Sequence, residues 1–249
     1  MCYSVAYLEK KISKLVNRYK SLLPPDWQPG NIHHHHAGEL PVYYFVSGFS
    51  HPNLPIFTAS GLTLASWGLI PFWSKSTETA AKIRTGTLNA VGETVFDKPS
   101  YRGSIRQKRC ILPVSGFYEW REHRGTKYPY YIHSNDGSLM SLGCIYDKWT
   151  NPESGEIIDS FSIITTPAND LLEVIHNRKK RMPLILPPEK EKEWLTPQMK
   201  NEEIKALIKP LDSTKLSAHT VSRQLNHSRN VRDIPEAIEP VNYPELSNI

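Results

Sequence analysis

Cysteine is scarce in this chain. Cys2, Cys110 and Cys144 make an odd set of three with no CxxC spacing, which argues against a disulfide framework and against a ribbon-type zinc site. No apolar run approaches the length of a membrane span. The opening MCYSVAYLEKK lacks a charged segment followed by an apolar stretch, so it does not read as a secretory signal, and a cytosolic location is the default expectation. Internal repeats, low-complexity linkers and blocks of like charge are missing too, so no sequence feature marks a domain boundary.

The apolar fraction of 39% is enough for a core, and the net charge of +5 suits a polyanionic partner without demanding one. Twenty prolines scattered along the chain favour many short elements over a regular βαβ alternation. The spacing of Leu8, Ile12, Leu15, Val16 and Tyr19 predicts an amphipathic helix over 4–23. Residues 24–41 read as a loop insertion carrying His33–His36, to which no function is assigned. Short strands are expected in PVYYFVSGF and PIFTASGLTLASWGLIPFW, with a short helix or loop over 76–88. RCILPVSGFYEWRE reads as two strands around a turn at Ser115–Gly116, and YPYYIHS, LMSLGCIYDKW and DSFSIITT as further strands. TTPANDLLEVI predicts a helix with a Thr cap and Pro167 in its first turn. PEKEKEWL and NEEIKALI read as short surface helices, LSAHTVSRQLN as a last strand, and the tail from about Ile234 as a surface wrap. The expectation is one α+β domain over 1–249, its core about 2–243, built on a curved or barrel-like antiparallel sheet with peripheral helices.

Five features carry chemistry. Removal of Met1 before Cys2 places an α-amine and a thiol on one residue. The amine condenses with an aldehyde and the thiol then closes a five-membered thiazolidine; with reference pKa values of about 7.7–8.0 and about 8.5, both reactive forms are accessible near neutral pH. Glu119 sits among aromatics in GFYEW, where alternation puts Phe117 and Glu119 on one face and Tyr118 and Trp120 on the other; a carboxyl beside a ring can have a raised pKa and act in acid–base work. His176 ends the predicted helix and leads into NRKKRMPLIL; a helix C-terminus favours its protonated form while nearby cations oppose it. Asn89, in LNAVGET, offers an amide able to fix a substrate or the chain terminus. Trp67 and Trp73 in WGLIPFWSK offer rings for stacking single-stranded bases. Taken singly, each has a bland reading: an incidental second residue, a solvated strand glutamate, a capping histidine, an Asx turn, core packing.

Together, MC, WGLIPFW, LNAVGET, RCILPVSGFYEW, SFSIITT with TPAND, IHNRKKRMPLIL and HTVSRQLN resemble, in order, the SRAP family, the SOS response-associated peptidase-like proteins that shield abasic sites. The resemblance implies the SRAP fold and capture of abasic sites in single-stranded DNA as a thiazolidine crosslink, without metal or organic cofactor. Cys2 would be the nucleophile and Asn89 would position it. Glu119 would take a proton from the amine, and His176 would protonate the sugar ring oxygen. Trp67 and Trp120 resemble positions near flanking DNA, and Arg181, Met182 and Pro183 match an RMP element. The chain departs from the family pattern in three places: MCYS stands for MCGR, NAV for NAR, and Lys179 and Lys180 lengthen the H-x-RMP element. Phosphate contacts are therefore expected from Arg84, Arg102, Arg106, Arg109 and the 178–181 cluster, which includes Arg178. A monomer acting in the cytoplasm on nucleoid DNA is the expectation. Lyase activity and self-removal of Met1 are further expectations, and a cysteine peptidase or a non-covalent single-strand binder remains an alternative.

Overall fold

The computed structural model describes residues 2–28, 39–227 and 232–246; His33–His36 and most of the 24–41 loop lie outside them. The chain opens with β1 (Ser4–Tyr7), α1 (Ile12–Arg18), β2 (Tyr43–Ser47), β3 (Asn53–Thr58) and β4 (Gly61–Trp67). The middle comprises α2 (Thr77–Gly86), β5 (Asn89–Val91), α3 (Ser104–Gln107), β6 (Arg109–Val114), β7 (Gly116–His123), β8 (Thr126–Ser134), β9 (Met140–Thr150) and β10 (Ile157–Pro167). There follow α4 (Asp170–Ile175), β11 (Arg181–Pro183), β12 (Ile185–Leu186), α5 (Pro188–Leu195), α6 (Asn201–Leu207) and β13 (Leu216–Thr220).

The strands form two sheets. In the larger, β10, β4, β3, β6 and β9 pair in succession and β9 pairs back onto β10, which closes a five-stranded barrel. Its pairings are antiparallel except where β10 runs beside β4 and β5. The smaller sheet has the order β13-β8-β7-β1-β2 and is antiparallel throughout. This is an α+β fold on a curved, mostly antiparallel sheet.

The period of two in the strands divides the core. Leu54, Ile56, Leu112, Cys144, Phe161 and Ile163 join Val5, Phe117 and Ile132 of the smaller sheet in one apolar cluster. Their neighbours Phe57, Ile111, Ile145 and Ile164 point the other way, toward Leu15 of α1, Trp194 of α5 and Ile204 of α6. Tyr118, Tyr131 and Phe45 fill a third cluster on the far face of the smaller sheet. Gly116 is required there by close approach: a Cβ at that position would lie 2.2 Å from the Tyr131 ring.

Several local expectations give way to tertiary structure. Residues 4–7 are strand, not helix, because β1 is paired on both edges; the helix is confined to α1. Ser115–Gly116 is not a hairpin turn, since β6 belongs to the barrel and β7 to the other sheet. β10 runs through Pro167, and Asn169, rather than a threonine, caps α4 by accepting from Leu172 N at 2.9 Å. α5 is no mere surface helix, since it buries Trp194 and Leu195. The final segment is strand only over β13, after which Arg223–Asn226 is a 3-10 turn. Among the described residues no helix is long and apolar enough to cross a membrane.

Trp67 belongs to this core and is corrected as a DNA contact. It is fully buried, stacks on Phe161 with centroids 6.2 Å apart, and donates from Nε1 to Leu88 O at 2.9 Å. Trp67→Ala is therefore expected to cost about 3–5 kcal/mol of unfolding free energy, read from chemical denaturation. A loss within about 0.5 kcal/mol, as for an exposed site, would contradict this placement.

Candidate functional site

β1 brings Cys2 to the site. Val5 pairs with Val46 on one side and Phe117 on the other, and Gly48 N donates to Tyr3 O at 2.9 Å. Cys2 is thus held against the main core cluster and is fully buried. Burial, reinforced by the nearby Glu119 charge, pushes its thiol well above the ordinary range. This corrects the expectation of a thiolate accessible near neutral pH: the thiol is protonated in this setting and needs a base to take its proton.

Asn89, on β5, reaches the same residue. Its Nδ2 donates to Cys2 O at 2.9 Å, and Tyr101 Oη donates to Asn89 O at 3.1 Å. The β5 segment is fixed by parallel pairing of Asn89 with Ile163 and by the Trp67–Leu88 bond.

Glu119 and His176 meet from the other side. Alternation along β7 sends Phe117 to the main core and Tyr118 to the outer cluster, as the sequence pattern requires. Glu119 is itself buried, and His176 Nε2 lies 3.6 Å from its Oε2. The turn after α4 is clamped to β7: Asn177 Nδ2 donates to Glu122 O at 2.8 Å and its Oδ1 accepts from Glu122 N at 3.1 Å. Lys180 adopts a left-handed φ of 48° and its N–H returns to His176 O at 2.8 Å. That tight turn sets Arg181 O 2.8 Å from His176 Nδ1. A carbonyl only accepts, so Nδ1 carries the hydrogen and the neutral ring presents a bare Nε2 toward Glu119.

Burial shifts the two groups in opposite directions. The Glu119 carboxyl is raised to about 8 and the His176 imidazole lowered to about 4, desolvation being the main cause for both. For His176, burial outweighs the favourable helix terminus expected from sequence. At neutral pH the pair therefore holds one proton, on the carboxyl, with the imidazole as its acceptor.

Two clefts flank this centre. One, of about 690 Å³, is lined by Glu119, His176, Trp120, Lys127, Arg178, Lys179 and Arg232 among others. The second, about 570 Å³, holds Asn89, Tyr101, Lys82 and Lys98. Tyr3 and Phe49 line both. Phe49, Lys82, Lys98, Lys127 and Arg232 escaped the sequence reading; only Phe49 carried a signal, an aromatic in the Gly-Ser turn SGFS.

The remaining DNA-contact candidates divide. Trp73 is 42% exposed and shares a third cleft, of about 520 Å³, with Phe72 and Arg102. Arg106 is exposed, with its guanidinium 5.7 Å from the Phe96 ring. Trp120 is half-buried and donates from Nε1 to Asn226 Oδ1 at 2.7 Å. Arg178 is exposed and paired with Glu122 at 2.9 Å. Four candidates are corrected. Arg109 is buried and donates to the carbonyls of Ile105, Arg106, Trp194 and Thr196, tying α3 and α5 to the barrel. Met182 is fully buried, its sulfur accepting from Asn169 N at 3.4 Å. Arg181 is committed to both Glu93 oxygens and to Thr165 O. Arg84 turns away from the clefts to bond Ser66 Oγ. Among the described residues no cluster of three His, Cys, Asp or Glu side chains is placed to hold a metal ion.

The electrostatic arrangement has a direct check. Carbon-detected titration of Glu119 and His176 is expected to give midpoints near 8 and near 4 respectively. A Glu119 midpoint in the ordinary carboxylate range, about 4.3, would contradict its enclosure.

Comparison with known proteins agrees with the fold and the motifs. Residues 39–228 match the SOS response associated peptidase (SRAP) family profile. Abasic site processing protein YoqW of Bacillus subtilis (strain 168) is 39% identical over 175 residues, covering 70% of this chain and 74% of that protein. Abasic site processing protein HMCES of Gallus gallus is 32% identical over 196 residues, covering 70% of this chain and 56% of that protein. A crystal structure of a Bacteroides thetaiotaomicron protein superposes with a TM-score of 0.86 at 37% identity, covering 97% of this chain and all of that one. With three quarters of its length matched and this fold, the chain belongs to the SRAP family.

Proposed function

We propose that this protein processes abasic sites in single-stranded DNA by covalent capture through Cys2. The observation that carries the reading is that Asn89 holds Cys2, His176 meets Glu119, and Glu119 lies close enough to raise the Cys2 thiol, beside two clefts lined by lysine and arginine side chains. The naming of YoqW and HMCES as abasic site processing proteins supports the substrate class.

In this reading Met1 is removed and the Cys2 α-amine is released. The abasic deoxyribose enters the cleft bordered by Glu119 and His176, where the missing base leaves room. The proton held by Glu119 passes through His176 Nε2 to the sugar ring oxygen while the C1′ hydroxyl gives its proton to solvent, which opens the hemiacetal to its aldehyde. Glu119, now ionised, accepts a proton from the α-ammonium. The amine then attacks C1′, and loss of water gives an imine. The Cys2 sulfur adds to the imine carbon, and its proton goes to the nitrogen. The product is a thiazolidine, formed without net oxidation or reduction. Holding the aldehyde, amine and thiol together replaces a bimolecular condensation with a nearly unimolecular one. The low-dielectric pocket also keeps the thiol neutral until the imine, a strong electrophile, is in place.

The experiment is incubation with abasic single-stranded DNA, followed by denaturing electrophoresis and intact mass. A heat-stable adduct is expected for a protein lacking Met1, and none for Cys2→Ala. Cys2→Ala and Cys2→Ser both keep the α-amine but cannot close the sulfur ring, so an adduct with either is expected to survive only after borohydride reduction. A heat-stable adduct with Cys2→Ala in the absence of reductant would falsify the aminothiol mechanism.

Adduct formation should also depend on pH in a definite sense. Between about 4 and about 8 the Glu119–His176 pair holds one proton and can relay it. Below about 4 His176 carries a proton of its own, so Glu119 stays protonated and cannot take the proton of the α-ammonium; above about 8 Glu119 is ionised and has no proton to give. The single-turnover rate is expected to decline on both sides, and Glu119→Gln should lower it across the whole range and leave no alkaline limb.

A further inference from the structure

The two clefts beside Cys2 are separated by one feature. Tyr3 and Phe49 line both, with ring centroids 5.1 Å apart and planes tilted by 32°. Phe49 is 58% exposed, an unusual position for a phenylalanine, while Tyr3 is half-buried behind it. The ridge is built in. Tyr3 O accepts from Gly48 N at 2.9 Å, and the Phe49 backbone is capped by Ser47, whose Oγ accepts from its N–H at 3.4 Å. Beneath Gly48 a Cβ would meet the Trp67 ring at 2.9 Å, so the turn rests on the core through a glycine. Phe49 thus stands on a supported turn, its ring exposed above Tyr3.

We propose that Tyr3 and Phe49 form a stacking platform for the base adjacent to the lesion, so that this protein grips the strand next to Cys2 through ring contacts. The proposal rests on the reading that the clefts hold single-stranded DNA. An abasic sugar placed beside Glu119 and His176 puts the next nucleotide over the ridge, and the strand continues into the cleft with Lys82 and Lys98. Every base has a π face, so such a platform tolerates any neighbour and demands only that one be present. Stacking releases no counterions, whereas each phosphate-facing cation adds about 0.7 to the salt slope on single strands.

The test compares Phe49→Ala, Phe49→Trp and Lys179→Ala with the parent protein. Equilibrium binding to an undamaged single-stranded oligonucleotide is measured across a salt series. Phe49→Ala is expected to weaken binding on the order of tenfold with an unchanged slope, and Phe49→Trp to restore it. Lys179→Ala is expected to flatten the slope instead. In a second arm the oligonucleotide carries an abasic site whose neighbour is either a base or a second baseless spacer. The parent should lose about the same factor on the spacer strand, while Phe49→Ala should lose nothing further. The parent's own loss in this arm is informative even if a variant misfolds.

Parent-like binding by Phe49→Ala, or equal binding of the parent to the base-bearing and spacer strands, overturns the platform. Failure of the parent to bind an undamaged strand overturns it as well. Absence of a covalent adduct, with the stacking signature intact, would instead count against capture by Cys2.

Discussion

The structure depends on the placement of its first strand inside a sheet. A terminal strand is ordinarily free to fray. Here β1 is hydrogen-bonded to β2 on one edge and β7 on the other, and its far end is fastened where Ser115 N donates to Ala6 O at 2.9 Å and Ser115 Oγ accepts from Leu8 N at 3.0 Å. Cys2 is consequently held against the core. Every other part of the site is defined relative to it: Asn89 from the barrel, Glu119 from the neighbouring strand, and His176 from the turn clamped to that strand.

The same burial that fixes the geometry sets the chemistry. An enclosed carboxyl near 8 and an enclosed imidazole near 4 form a pair that carries one proton across the neutral range. Neither value belongs to an exposed group. Lysine and arginine line the clefts around this pair, while Arg109, Arg181 and Arg84 are spent on internal carbonyls, a carboxylate and a hydroxyl. The distinction between a cation that joins elements and one that faces a cleft lies entirely in what each guanidinium meets.

Stacking follows the same logic. Trp67 and Phe49 are both aromatic and both near the site, yet one is wholly enclosed and the other more than half open. Trp67 supports the ground beneath Gly48 and Leu88, and Phe49 stands on it. A tryptophan in a family motif is thus a packing residue, and a phenylalanine outside any recognised motif is the exposed ring.

The sequence alone determined much of this protein. Period-two runs, Gly and Pro breaks and the ordered motifs disclosed most of the strands, the barrel-like class and the family, and they nominated Cys2, Asn89, Glu119 and His176. Those properties are written in local spacing and residue chemistry. Tertiary structure decided what spacing could not. Residues 4–7 carry a helical pattern but are strand, because two neighbouring strands satisfy their backbone and outweigh a weak local preference. Ser115–Gly116 looks like a hairpin turn but passes between sheets, since β6 and β7 have other partners. Whether an arginine or a tryptophan faces solvent, and whether an acid titrates near 8, depends on groups distant in the chain, and only the fold brings those groups together.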